Sequence, residues 1–267
     1  MPAIEGSTEA RLRAAGLEIP PGYSIASYDE RPDLDAAIDE LIAATWPAFM
    51  NEDEVANTQF GRAYDSWPAL QTMLLDEGGR LVALGNAMPL VWDGTDDGLP
   101  DGWRDQVLQS VADTDAGRAM NTLGAMQIAM RGDLRGAGLS GTMVGAMRAA
   151  AKAAGYQAVI ACVRPTDKDR YPLVPIERYA FWTREDGLPF DPWMRLHARL
   201  GARVVRASPR AMMVRGSVAD WEAWTGMAFP DSGSYVVPRA TQPVVIDRER
   251  DEGVYYDQNV WMVHPVD

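Results

Sequence analysis

"MRGDLRGAGLSGTMVGAMRAAAKAAGYQAVIACV", residues 130–163, decides the fold. It opens on a turn rich in glycine and arginine. A long run of small and apolar residues follows, with Leu139, Met143, Met147, Ala150 and Ala154 at helical spacing. Gly155 stands where a helix C-terminal cap belongs. Beyond it, "QAVIACV" (157–163) has the length and the unbroken apolarity of a strand buried on both faces. Upstream, "MNTLGAMQIAMR" (120–131) reads as a central strand. Strand, turn, helix, strand is a βαβ unit, which calls for parallel pairing and a right-handed crossover. The fold class is therefore α/β.

The turn carries chemistry as well. A helix N-terminus presents unpaired N–H groups and a partial positive charge. Gly136 and Gly138 let a ligand come close to the backbone, and Arg131 and Arg135 add local positive charge. Together these suit a phosphate or pyrophosphate. A P-loop needs a Gly-Lys-Ser/Thr ending, which is absent. A dinucleotide fingerprint needs three glycines at a fixed spacing that "GDLRGAG" does not supply.

The segment resembles the acyl-CoA pyrophosphate loop of the GNAT acyltransferase superfamily. That pattern is Gln or Arg, two residues, Gly, one residue, then Gly or Ala. Arg135, Gly136, Ala137, Gly138 and Leu139 fit it, and Ser140 departs from it by replacing the last Gly or Ala. A second landmark, a helix ending Tyr-x-x-Leu-Gly-Phe, is echoed by His197-Ala198-Arg199-Leu200-Gly201-Ala202. The resemblance covers most of residues 23–216. It implies a mixed, twisted central sheet flanked by helices, with strands that splay to admit the pantetheine arm of the cofactor. It also implies that the backbone from Arg135 to Gly141, with Ile128 and Met130 on the preceding strand, lies along acetyl-CoA or another acyl-CoA, malonyl-CoA included. No metal is expected, since the only two histidines lie far apart in the chain.

His197 stands where GNAT enzymes often keep a tyrosine acid. A histidine near its ordinary pKa can give or take a proton at pH 7. Residues 164–202 further resemble the GNAT-like loading domains of modular polyketide synthases. That resemblance implies roles for Thr166 and His197 in decarboxylating malonyl-CoA and in loading a carrier-protein thiol. The residues by themselves also allow plainer readings. His197 could be a core histidine satisfied by a backbone carbonyl, and Thr166 could cap a short helix. The expected function is acetyl transfer from acetyl-CoA to a small-molecule amine. Malonyl-CoA decarboxylation with carrier-protein loading, or acyl-CoA binding without catalysis, are the alternatives.

The whole chain fits this frame. Its 267 residues, 47% apolar, can bury a sizeable core. The expected organisation is a short polar extension over 1–22, the acyltransferase-like unit over 23–216, and an irregular C-terminal extension over 217–267 packed on the same domain. A net charge of −13 disfavours general nucleic-acid binding. No apolar stretch is long enough for a membrane span, and the N-terminus shows no secretory pattern, so the cytoplasm is the default compartment. Cys162, the single cysteine, sits in an apolar run and reads as a buried small hydrophobe.

Further elements are expected along the chain: a strand at 23–29, helices at about 32–49 and 59–75, the second with a break around Pro68, and a long strand at 78–94 with an irregularity near Gly85 or Pro89. A surface helix at 102–117 and a helix at 191–202 capped by Asp191 follow. "ARVVRAS" and "RAMMVRGSV" read as a closing antiparallel pair. The Trp-rich tail would cover either a homodimer interface or the monomer core. Trp92 and Trp103 are candidates for a channel lining or for packing. Tyr171 and Tyr179 are alternative acids, and His264 is expected to be peripheral.

Overall fold

The computed structural model describes residues 6–134 and 136–266. In its first half, helix α1 spans Thr8–Ala14, β1 Tyr23–Ser27, α2 Asp35–Thr45, α3 Glu54–Gln59 and α4 Arg62–Ser66. Strands β2 (Thr72–Asp76) and β3 (Leu81–Leu90), helix α5 (Trp103–Asp115) and strand β4 (Thr122–Met130) follow. The second half holds α6 (Leu139–Ala153), β5 (Ala158–Val163), α7 (Ile176–Tyr179), α8 (Pro192–Arg199) and β6 (Arg203–Gly216). It closes with α9 (Val218–Thr225), β7 (Gly233–Tyr235), β8 (Val244–Asp247) and β9 (Glu252–Pro265).

The nine strands form one mixed sheet in the order β1-β2-β3-β4-β5-β9-β8-β7, with β6 on the other edge of β9. The β4–β5 pair is parallel, as the βαβ pattern requires, and α6 is its crossover. Every residue of β5 is buried, which explains its unbroken apolar sequence. Helix α6 turns Leu139, Met143, Ala146 and Met147 onto the sheet, and small alanines complete that face.

Four expectations need correction. The N-terminal segment is not a bare polar extension: α1 is capped by Ser7, and Leu12 and Leu17 are buried beside α6. The helical stretch expected over 59–75 breaks at Pro68 as expected, but it continues only as one short turn, and Thr72–Asp76 pairs as β2. The expected antiparallel pair around Pro209 is one continuous strand, β6. Its register against β9 shifts between Ser208 and Met212, and that bulge accommodates a proline that has no N–H to give.

The fourth correction concerns the tail. It is not an irregular extension. β9 pairs with β5 from Ala158↔Pro265 to Val163↔Val260, and with β6 along its other edge. It is therefore an interior strand. Trp221, Tyr255 and Trp261 from this tail are fully buried, so the aromatic residues complete the core.

Candidate functional site

The β4–β5 ladder runs from Thr122↔Ala158 to Ala125↔Ala161 and stops there. Both strands continue, β4 to Met130 and β5 to Val163, without pairing to each other. Ala125, Gln127 and Ile128 are partly exposed, although β4 is a central strand. A wedge-shaped opening between two parallel strands is the physical meaning of this pattern.

A bulge produces the divergence. Asn86 of β3 pairs with Gln127 and Ala87 pairs with Ala125, so Met126 is an extra residue on β4. A bulge bends its strand and increases local twist. It also frees carbonyls, and α5 supplies their partners. Trp103 Nε1 donates to the Met126 carbonyl at 2.8 Å, and Gln106 Nε2 to the Ala125 carbonyl at 3.3 Å. Gln106 approaches so closely that a Cβ on Gly124 would stand 2.5 Å from Nε2. Trp103 is thus mainly a packing residue with a hydrogen-bonding task. Trp92 packs in the same core and donates to the Thr95 carbonyl.

The N-terminus of α6 stands after β4. Gly136 and Gly138 adopt φ of +89° and +80°, the left-handed region that side chains disfavour. No side chain caps this helix, while the Ala137 N–H donates to the Leu134 carbonyl at 3.2 Å and the Gly141 N–H to the Gly138 carbonyl at 3.0 Å. Ala137, Leu139, Ser140 and Gly141 continue the turn into the helix. Arg131 is less free than expected, because it pairs with Asp133 at 2.7 Å. Arg135 lies outside the described residues. Beyond the last β4–β5 pair, Ile128 is partly exposed and Met130 is buried. Both pair with β3 on one edge of β4, leaving its other edge toward the opening.

Helix α8 flanks the site. Its N-cap Asp191 accepts from the N–H groups of Trp193 and Met194, and also from the Asp167 N–H, which ties it to the loop after β5. Thr166 Oγ1 reaches the same carboxylate at 3.5 Å. Tyr179 donates to it at 3.0 Å; burial raises the phenol pKa, and the carboxylate raises it further. Tyr179 is therefore a buried structural phenol. Tyr171 packs beside it in an aromatic cluster with Trp182 and Phe190. Near the first turn of α6, Gly141 faces Leu196.

His197 is 4% exposed. The Trp193 ring lies edge-on to it, with centroids 4.5 Å apart. Its Nδ1 is 2.8 Å from Nε2 of His264, and its Nε2 is buried without a partner. Burial, with the neighbouring His264 adding to it, pushes its pKa down to about 3. The expected near-neutral titration is thus not what this environment gives, and the ring is neutral at pH 7. His264, expected to be peripheral, is 1% exposed, because it lies on β9 opposite Val159. That is two residues, or about 7 Å along a strand, below the last β4–β5 pair at Ala161. No spacing signal could have joined residues so far apart in sequence; β9 brings them together. Among the described residues, no group of three ligating side chains suited to a metal forms.

Two other buried features stand near the opening. Cys162 is pushed up to about 12 by burial, so its thiol is not a nucleophile at neutral pH. Asn259 donates to the Cys162 carbonyl at 3.1 Å and leaves its Oδ1 unpartnered, as Gln106 leaves its Oε1. No helix among the described residues is long and apolar enough to cross a membrane.

A mixed sheet with splayed parallel strands and an uncapped glycine turn between them defines an acyl-CoA-binding α/β fold. Solved structures share it. The loading GNATL domain of CurA from Lyngbya majuscula aligns with TM-score 0.57 and 16% identity, over 91% of this chain and 98% of that one. A GphF GNAT-like decarboxylase in complex with isobutyryl-CoA aligns with TM-score 0.55 and 16% identity, over 92% and 99%. No protein-family profile matches the chain. In sequence it is similar to the arginine N-acetyltransferase avaD of Aspergillus versicolor, 30% identical over 286 aligned positions spanning 96% of this chain and 98% of the relative. The chain belongs to the GNAT superfamily and is an acyltransferase of that type, with an acyl-CoA as cosubstrate.

Proposed function

We propose that this protein transfers an acetyl group from acetyl-CoA to a small cationic amine. The observation that carries the reading is the ladder that ends at Ala125↔Ala161 beside an uncapped helix whose turn glycines lie in the left-handed region. Acetyl-CoA supplies the activated acetyl group. The turn from Gly136 to Gly141 lies against its phosphates, with the N–H groups not held by the Leu134 and Gly138 carbonyls as donors, and the free edge of β4 at Ile128 and Met130 lies along its arm. The relative that spans both chains is an arginine N-acetyltransferase, which supports an amine acceptor. The net charge of −13 favours a cation. The unpartnered oxygens of Gln106 and Asn259 suit an acceptor rich in N–H groups.

Amide formation removes a proton from the attacking nitrogen and requires one at the departing sulfur. His197, as a neutral imidazole, is the proton-handling group in this reading. Thr166 has a structural task as well, since Asp191 engages it. Decarboxylation of malonyl-CoA with transfer to a carrier-protein thiol is the second reading. It rests on the sequence pattern around Thr166 and His197.

Mass spectrometry separates the two. Wild type and His197→Ala are incubated with acetyl-CoA plus arginine, agmatine or a simple alkylamine, and separately with malonyl-CoA alone. Acetylated amine from wild type is expected, with a loss of about a hundredfold in the variant. Conversion of malonyl-CoA to acetyl-CoA, with every amine untouched, would sink the amine reading.

A further inference from the structure

The two faces of β5 meet different partners. Ala161 and Val163 point into the core shared with α8, and Cys162 into the core shared with α5. Side chains alternate along a strand, so Arg164, which follows Val163, falls on the α5 face. β9 agrees: Trp261, opposite Cys162, lies in the α5 core, and Val260, opposite Val163, in the α8 core. One more step of that register sets Arg164 across from Asn259. Arg164 stands at the carboxyl end of β5, beyond the last β4–β5 pair at Ala161, where the two strands have parted. Ligands of open parallel sheets bind outside the carboxyl ends of the strands.

The Arg164 guanidinium is held from behind. Nε donates to both oxygens of Asp257, at 2.9 and 3.1 Å, and Nη2 to the Arg239 carbonyl at 2.6 Å. Asp257 is fully buried and also accepts from Tyr255 and Thr241, so the anchor is fixed. A guanidinium has five N–H donors. Nη1 meets no acceptor among the described residues, and the side chain keeps 16% of its surface exposed. An oriented guanidinium with a free edge is the chemistry that reads a carboxylate, through parallel N–H groups.

Acceptors stand on the same face. Asn259 Nδ2 donates to the Cys162 carbonyl, and Gln106 Nε2, from the β4 side, to the Ala125 carbonyl. A carbonyl only accepts, so the orientation of both amides is fixed. Oδ1 of Asn259 and Oε1 of Gln106 are left without partners. The α5 face therefore offers donors at Arg164 and acceptors at Asn259 and Gln106. A molecule that carries both a carboxylate and N–H groups satisfies all three.

We propose that Arg164 is a specificity-determining residue that binds a carboxylate on the acceptor, so that the acceptor is an amino acid rather than a simple amine. The proposal rests on the reading of the protein as an amine acetyltransferase. The acceptor meets the thioester from the α5 face, across the sheet from α8 and His197.

Matched pairs isolate the carboxylate: arginine against agmatine, lysine against cadaverine, ornithine against putrescine. Within each pair only the carboxylate differs. Calorimetry on the CoA complex measures binding, and mass spectrometry with acetyl-CoA measures transfer. Wild type is expected to favour the amino acid of its best pair by about tenfold or more in both. Arg164→Gln is expected to bring that ratio close to one. Because this change leaves Asp257 buried without its cation, thermal transitions check folding, and a second chain combining Arg164→Gln with Asp257→Asn removes both charges together. Equal binding and transfer within every pair in wild type overturns the proposal, as does a folded variant that keeps the preference. Lost malonyl-CoA turnover in a variant, with the amino-acid preference intact, puts the carboxylate on the acyl group and overturns the acceptor assignment. Acetylation without preference removes only the role of Arg164. No acetylation of any of the six, with malonyl-CoA consumed, brings down the amine reading itself.

Discussion

Trp103 Nε1 donates to the backbone carbonyl of Met126 at 2.8 Å, and Met126 is the extra residue that β4 inserts against β3. One side chain from α5 thus stabilises the irregularity that opens the sheet. Trp103→Phe keeps an aromatic ring but leaves that buried carbonyl unpaired. The expected cost is about 1–3 kcal/mol of stability. Denaturant titration measures it, and kcat/KM for acetyl-CoA should fall in parallel as the opening narrows. A variant as stable as wild type would mean that the bulge does not need its indole partner.

Gly138 is left-handed, with open space where a Cβ would stand. Gly138→Ala should therefore cost about 1–2 kcal/mol of backbone strain and no clash within the protein. Its larger effect is expected on the ligand. Calorimetric affinity for acetyl-CoA should fall about tenfold or more, equal to about 1.4 kcal/mol. Lost stability with unchanged affinity would place the phosphates elsewhere.

Acid should weaken the fold through the histidine pair. In the unfolded chain both rings titrate near 6.5; in the fold burial lowers His197 to about 3 and His264 to about 4. Over that interval the unfolded chain binds more protons. The contribution is complete above pH 6.5 and is lost as pH falls through about 4 for His264 and about 3 for His197. Thermal midpoints measured across this range should decline in wild type. They should decline less steeply in the doubly substituted His197→Gln, His264→Gln chain. Equal slopes would remove the pair from the acid response.

Truncation after Gly216 would delete β9 and expose the edges of β5 and β6. No cooperative unfolding transition is expected from such a fragment, and it should aggregate. A soluble fragment that still binds acetyl-CoA would make residues 217–267 a dispensable extension after all.

Much of the site was legible from local sequence. The glycine turn, the helix beginning at Leu139 and the apolar strand through Cys162 are neighbours in the chain, so composition and period suffice to place them. The cap at Asp191 was legible for the same reason: it acts on the next two N–H groups. β2 was misread as helix because "TMLL" has no alternation, as both of its faces are buried. The tail was misread because its Trp, Tyr and Pro content mimics an irregular wrapper.

The sequence by itself determined the βαβ unit, the glycine turn that opens its helix, and the buried placement of Cys162. These are short-range consequences of spacing and burial. Only the tertiary structure decided that β9 is interior, that the ladder between β4 and β5 ends at Ala125↔Ala161, and that His264 meets His197. Each of these depends on strand register between segments distant in sequence. Register is set by the packing of whole faces, which no local pattern records.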